Sequence, residues 1–463
     1  MQNIQDTILI DADLIRRYDI NGPRYTSYPT AVEFHNGFGV TQYQSAAASS
    51  NEQGTPLSIY VHVPFCASPC FYCGCNRVIT RDHSKADVYL RYLFREIELQ
   101  AALFDTSRPA AQLHLGGGTP TFLSTTQLEA LIAKLQQHFN LQTGGAHEFS
   151  IEIDPRTLTE DTLPHLAALG FNRISLGVQD FDRDVQVAVN RVQSVDDTLR
   201  AIHLAHELGF KSVNVDLIYG LPKQTAEKFA HTLDQVISAT PERIALYGYA
   251  HMPRLFKAQR QINEAELPNA ITRLALLQLS ITKLMEAGYV YIGMDHFARA
   301  DDELVKAQQD GTLQRNFQGY STRADCDLIG LGVSSIGKIA NTYSQNAKTL
   351  IEYYAMLDTP SLPVRRGVVL DRDDEIRRRV IQEVMCHGYL NFNQLSAQLN
   401  IDFNWYFLHE MLELQHLQQD GLIDLDRESL QVTPKGRLLL RHVAMVFDAY
   451  LKHATQQQFS KAV

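Results

Sequence analysis

From Leu57 onward the chain alternates short apolar, β-branched runs with stripes of apolar residues at helical spacing, the order in which a parallel βα array is written. Six runs predict strands: Leu57 to Pro64, Gln112 to Leu115, Glu148 to Ile153, Arg173 to Val178, Ser212 to Ile218 and Arg243 to Tyr249. Between them Leu90, Leu93 and Ile97 share one helical face; Leu128, Leu131, Ile132, Leu135 and Phe139 share another; Phe229, Leu233, Val236 and Ile237 share a third. Gly170 and Gly209 stand where helices of such an array should stop. Periodicity specifies an α/β fold and leaves a closed barrel, an open barrel and a doubly wound sheet all available.

The flanks read differently. Asn21-Gly-Pro-Arg-Tyr-Thr-Ser-Tyr-Pro-Thr30 is rich in turn formers and aromatics, and its two prolines disfavour a regular helix. Ser45 to Thr55 is small and polar and reads as a linker. From Asp371 the pattern turns helical over Ile376 to Val384 and again over Asn404 to Gln419. A short hairpin, Gly421 to Thr433, and a last helix from Pro434 follow. That order is winged-helix-like, but the stretch Asn404 to Gln419 holds Glu410 and Glu413 and no lysine or arginine, which excludes it as a DNA-reading helix. The expected domains are an arm and linker over residues 1–55, an α/β domain over 56–366 and a mostly helical C-terminal domain over 367–463.

Composition narrows the function. A chain of 463 residues, 45% hydrophobic and 20% charged, can bury a sizeable core. A net charge of -10 argues against a nucleic-acid partner and leaves an anionic substrate to be held by local arginines. Met1-Gln-Asn-Ile-Gln-Asp6 lacks the basic and apolar regions of a signal peptide, and no apolar run reaches membrane-spanning length, so a cytoplasmic location is expected. Six cysteines in a cytosolic chain of this size do not read as a disulfide framework.

Four of them cluster in Cys66-Ala-Ser-Pro-Cys70-Phe-Tyr-Cys73-Gly-Cys75, directly after the first predicted strand. Thiolates are natural ligands of an iron-sulfur cluster, and a cubane held by three of them leaves one iron free for chemistry. Zinc is the competing reading, but it wants a second ligand pair, and Cys326 and Cys386 are distant and isolated. Gly116-Gly-Gly-Thr-Pro120 follows the second strand; a glycine triplet exposes backbone to a ligand, though by itself it is more often a turn. Glu152 nears the end of the third strand, where a carboxylate could accept from ribose hydroxyls or pair inside the sheet. His62 shares a strand face with Tyr60, and a lone histidine there is more often a satisfied core residue than a catalyst. Arg191, in Asn190-Arg-Val, would by default be a solvated surface residue.

Cys66-x3-Cys70-x2-Cys73, with Tyr72 before the third cysteine, resembles the signature of radical S-adenosylmethionine (SAM) enzymes. The added Cys75 and the upstream Pro23-Arg-Tyr-Thr-Ser-Tyr-Pro-Thr-Ala31 narrow the resemblance to oxygen-independent coproporphyrinogen III oxidases, over essentially the whole chain. It implies a partial (β/α)6 barrel, a [4Fe-4S] cluster on Cys66, Cys70 and Cys73 but not Cys75, and two SAM molecules. Gly117, Gly118, Thr119 and Glu152 would serve the first SAM, with Tyr60 and Ile336 beside it. Tyr72, Gln179, Arg191 and Asp216 would serve the second, with Ala250 joining by its backbone. Tyr60 and His62 become candidate catalytic residues, and the arm is implied to lie over the active site. The implied reaction is oxidative decarboxylation of coproporphyrinogen III to protoporphyrinogen IX in haem biosynthesis, by a 5'-deoxyadenosyl radical, in a monomer fed by a reductant such as flavodoxin or ferredoxin. Two readings compete. One is a related haem chaperone, whose members generally lack both the Cys73-Gly-Cys75 ending and the arm from Arg24 to Tyr28. The other is a different radical SAM reaction on a tetrapyrrole.

Overall fold

The computed structural model describes residues 11–451 except 19, 146, 324 and 325, so Met1-Gln-Asn-Ile-Gln-Asp6 lies outside the described residues. Each predicted run is a strand: Leu57–Val63, Pro109–Gly117, Glu148–Ile153, Arg173–Gln179, Ser212–Tyr219 and Arg243–Gly248. They pair side by side in chain order, all parallel. Parallel pairing needs long crossovers, and helices such as Ser84–Ala101, Thr125–His138, Val195–Glu207 and Ala226–Ser238 supply them. The predicted stripes are the buried faces: Leu90, Leu93 and Ile97, then Leu128, Leu131, Ile132 and Leu135, then Phe229, Leu233 and Val236. Fully burying one such leucine is worth about 1.5–3 kcal/mol.

Strand alternation separates the core from the site. In Glu148–Ile153 the residues Phe149, Ile151 and Ile153 are buried, while Glu148, Ser150 and Glu152 stay partly exposed. One face of the sheet is therefore apolar core and the other carries polar groups. The array does not close on itself. The first strand pairs on its outer side with a parallel strand, Asp327–Leu331, and antiparallel strands Ile336–Ile339, Thr342–Asn346 and Val364–Val369 extend the sheet beyond it. The α/β fold with a partial six-unit array thus stands, within a mixed, open sheet.

The linker expectation is corrected. Residues 45–55 are no linker, because Val40–Gln53 is a helix ended by Gly54 in the left-handed conformation (φ 66°). Ala46, Ala47 and Ser50 are buried there, and Ser50 Oγ donates to Asp327 at 2.5 Å. Small side chains that read as flexible in sequence are what lets this helix lie close to the antiparallel strands.

By its contacts the chain divides into two compact units. One compact unit comprises Glu33–Arg273 and Asp325–Val369; the other comprises the chain up to Val32, Leu274–Ala324 and the chain from Leu370 on. Residues 274–324 join the C-terminal segment because Ile292, Ala298, Leu304 and Leu313 share a core with Cys386. In this second unit helix Arg372–His387 starts on a capping box at Asp371 and stops at Gly388. The hairpin is present as Ile423–Leu425 and Ser429–Val432. The helix expected over Asn404 to Gln419 is two, Phe403–Tyr406 and Leu408–Gln419, broken at Phe407. The last helix begins not at Pro434 but at Leu440, after a 3-10 turn over Arg437–Leu439.

The arm is not helical, as its prolines predict. Tyr25 and Tyr28 belong to the core of the second unit with Phe403, Phe407 and Phe447. The Tyr25 hydroxyl donates to Asp448 at 2.9 Å, Arg441 donates to Gly22 O at 3.1 Å, and Arg24 pairs with Asp295 at 3.1 Å.

Candidate active site

The site is built in the first unit at the C-terminal ends of the parallel strands, where loops of such arrays converge. Register aligns its polar face: Tyr60 lies opposite His114, His114 opposite Ser150, Glu152 opposite Ser175, and Gly177 opposite Asp216. Tyr60 stacks on His114 with ring centroids 5.7 Å apart.

His62, on the face of Tyr60, has both ring nitrogens engaged, Nδ1 with the Tyr60 hydroxyl at 3.0 Å and Nε2 with Asn76 O at 3.0 Å. A carbonyl can only accept, so Nε2 carries the proton and Tyr60 donates to Nδ1. Burial lowers the His62 pKa and keeps the ring neutral. The Tyr89 hydroxyl donates to His62 O at 2.6 Å and fastens the strand's end to helix Ser84–Ala101.

The glycine triplet owes its composition to close approach. A Cβ on Gly116 would sit 2.9 Å from Glu152 Oε1, one on Gly117 (φ 118°) 2.7 Å from the His62 ring, and one on Gly118 2.8 Å from Phe65 O. The Gly117 N–H donates to Glu152 Oε2 at 3.1 Å, and His114 Nε2 lies 3.3 Å from Glu152 Oε1. Burial works against the Glu152 carboxylate, but His114 and the Gly117 N–H outweigh it and hold its pKa below the ordinary value.

The cysteine loop is pinned from several sides. Thr119 Oγ1 donates to Cys66 Sγ at 3.4 Å, and the Cys75 N–H donates to Cys73 Sγ at 3.4 Å. Cys70, the most buried of the four, receives Arg191 Nη1 at 3.4 Å and Arg156 Nη2 at 3.5 Å. Arg77 binds the loop's carbonyls, Cys73 O at 3.0 Å and Cys70 O at 3.3 Å. The Cys75 thiol beside Cys73, and Arg77 after it, lower the Cys73 pKa to about 6, whereas burial raises Cys66 to about 11.

These groups fit a multi-iron cluster. All three thiols are free, and among the described residues no three potential ligands close around a single ion. A cubane takes each of three thiolates on its own iron. Its charge would meet two guanidiniums, a hydroxyl and an N–H already aimed at sulfur.

Arg191 is no surface residue. It is buried, with Nη1 on Asp154 at 3.1 Å and Nη2 on Gly177 O at 2.6 Å, while Nε has no partner. Gln179 holds φ 67°, a strained value for a residue with a side chain, just after a register shift at Gly177. The same distortion brings Gln179 and Arg191 each to within 2.8 Å of where a Gly177 Cβ would stand. Burial and the Glu152 charge raise the Asp216 pKa to about 6, although Ser175 and Asn214 hydrogen-bond to it at 3.0 and 2.9 Å. Tyr72 and Ala250 are tied together by Gln259, whose amide donates to both carbonyls, at 2.8 and 3.2 Å. Ile336 O would lie 2.7 Å from a Cβ on Gly330, the residue opposite Tyr60.

Sequence reasoning missed Arg77, His114, Asp154, Arg156 and Gln259. For His114 the signal was available in the alternation of polar Gln112 and His114 with apolar Leu113 and Leu115. Asp154-Pro-Arg156 follows the third strand directly, which marks it as mouth-facing. Nothing local marks Gln259.

Known proteins resemble this chain over its length. A Radical SAM superfamily model matches residues 60–236, and a HemN C-terminal domain model matches 370–439. Oxygen-independent coproporphyrinogen III oxidase of Pseudomonas aeruginosa is 50% identical over 99% of this chain and 100% of that protein. The Escherichia coli enzyme of that name is 48% identical over 98% of each. A solved structure described as coproporphyrinogen III oxidase (HemN) from Escherichia coli, a radical SAM enzyme, superposes with a TM-score of 0.91 at 46% identity over 96% of this chain and 100% of that one. With its strands, cysteine loop and C-terminal segment matched end to end by such relatives, this chain belongs to the radical SAM family of oxygen-independent coproporphyrinogen III oxidases.

Proposed function

We propose that this chain converts coproporphyrinogen III to protoporphyrinogen IX without oxygen, in the cytoplasm, as a monomer reduced by a flavodoxin- or ferredoxin-like donor. Family membership brings with it a [4Fe-4S] cluster and SAM. The observation that carries the reading is the union of two half-sites at one mouth. Thr119 reaches Cys66 at 3.4 Å while Gly117, two residues earlier, reaches Glu152 at 3.1 Å, so a ligand bound along this loop lies beside the thiols.

When bound, the cluster and SAM supply the radical that removes hydrogen. Each of two propionates then loses one hydrogen atom from its β-carbon to that radical, one electron to an external one-electron acceptor, and CO2, which leaves a vinyl group. Cys66, Cys70 and Cys73 are the proposed cluster ligands, with Cys75 outside the set. Gly117, Gly118, Thr119 and Glu152 would bind the first SAM beside Tyr60 and Ile336; Tyr72, Gln179, Arg191, Asp216 and the Ala250 backbone would bind a second. Tyr60 and His62 form a neutral hydrogen-bonded pair, the hydroxyl donating to Nδ1 at 3.0 Å, and are the proposed residues for handling substrate.

The test is anaerobic reconstitution followed by addition of reductant, SAM and coproporphyrinogen III. Formation of 5'-deoxyadenosine and protoporphyrinogen is expected; tight haem binding with no turnover would overturn the reading.

A further inference from the structure

The thiols at the mouth are not treated alike. Cys66 is met by a neutral hydroxyl and Cys73 by a neutral N–H, each at 3.4 Å. Cys70 alone is met by two guanidiniums, Arg191 at 3.4 Å and Arg156 at 3.5 Å. Both are gathered by one carboxylate oxygen, Asp154 Oδ2, which lies 2.6 Å from Arg156 Nη2 and 3.1 Å from Arg191 Nη1. Two positive charges and one negative leave a net positive charge against a single sulfur. Unlike Arg191, Arg156 also lines a cavity of about 670 Å3, with Glu160, Gln193 and His203 among its walls.

We propose that Arg156, positioned by Asp154, sets the reduction potential of the cluster through Cys70. The inference rests on the cluster reading above and adds a residue role to it. A cubane on three thiolates becomes one unit more negative when reduced, so a fixed guanidinium beside one of its sulfurs favours the reduced form. Charge-assisted N–H···S contacts act in the same direction. Asp154 offsets part of this charge while holding both forks in place. Arg156 touches a ligand and not the reacting carbon, so it is a positioning and tuning residue.

Two variants with opposite expected signs test this. Wild type, Arg156→Gln and Asp154→Asn are reconstituted anaerobically without SAM, iron and sulfide are counted, and the potential is read by redox titration followed by electron paramagnetic resonance. Arg156→Gln should lower the potential by a tenfold change in the reduced-to-oxidised ratio, about 59 mV for one electron. Asp154→Asn, which keeps an oxygen acceptor for Arg156 and removes the negative charge, should raise it. An Arg156→Gln protein with its full complement of iron and a ratio within twofold of wild type would overturn the proposal. Where Arg156→Gln takes up no iron, Asp154→Asn decides: a potential unchanged or lowered overturns it. A wild type that assembles no [4Fe-4S] cluster removes both this inference and the reading beneath it.

Discussion

Replacing Arg191 by alanine should cost more than ligand affinity. The side chain donates to Asp154 Oδ2 at 3.1 Å and to Gly177 O at 2.6 Å, both inside the protein. Its loss removes one charge-assisted bond, worth about 1.5–3 kcal/mol, and leaves a buried carbonyl without its donor, at about 1–3 kcal/mol. Asp154 is not stranded, because Arg156 still holds it at 2.6 Å. The sum, about 2.5–6 kcal/mol, brackets what breaking a buried ion pair usually costs. Arg191→Lys keeps the charge but not the fork and should fall between wild type and alanine. Urea unfolding of the anaerobically purified apoprotein measures this, with an unchanged slope required for a clean comparison. A loss under about 1 kcal/mol at constant slope would refute the energetic value given to these contacts. The proposed second SAM should also bind about tenfold to a hundredfold more weakly, seen as one site of two in equilibrium binding.

Three further outcomes are expected. Cys75→Ser should retain the absorbance of a [4Fe-4S] cluster after reconstitution and Cys70→Ser should lose it; equal loss in both would reassign Cys75. Burial raises the Glu96 pKa to about 7 even though Tyr353, Gly332 and Asn346 all donate to it. The native state therefore holds an extra proton between the ordinary value of 4.5 and about 7, stability falls as pH rises through that window by about 3 kcal/mol, and Glu96→Gln should flatten that slope in unfolding curves taken at several pH values. Tyr25→Phe deletes the hydroxyl that donates to Asp448 at 2.9 Å and should cost about 1–2 kcal/mol in the unfolding of the second unit, read by hydrogen exchange over helix Arg372–His387.

Legibility followed periodicity. Glu148–Ile153 matches its predicted bounds because Phe149, Ile151 and Ile153 alternate with Glu148, Ser150 and Glu152, and burial preserves that alternation. Helix Val40–Gln53 was hidden because, beyond Tyr43, its buried positions Ala46, Ala47 and Ser50 are small and make only a weak apolar stripe. The strand Asp327–Leu331 was hidden because all five residues are buried, including Asp327, so no period appears. Its aspartate is made tolerable by Ser50, Thr55 and Arg108, which lie far away in the chain, together with the Ala340 N–H. In the site, positions that follow a strand end could be named, whereas Gln259 works through two carbonyls 187 and 9 residues away and leaves no local trace.

The composition of the second unit from three separated segments governs the order in which the chain can mature during synthesis. Tyr25 is made early, but its partner Asp448 follows 423 residues later. At the usual 5–20 residues per second the arm waits roughly 20–85 s before its core exists. The first strand likewise keeps an open edge until Asp327–Leu331 is made, although the five strands that follow it can pair as they emerge. A nascent chain stalled before residue 370 would thus present two exposed tyrosines and no core to receive them, a state for chaperones to shield. Residues 66–75 of the cysteine loop are complete long before that, so the proposed cluster ligands exist well ahead of the finished fold around the opposite end of the chain.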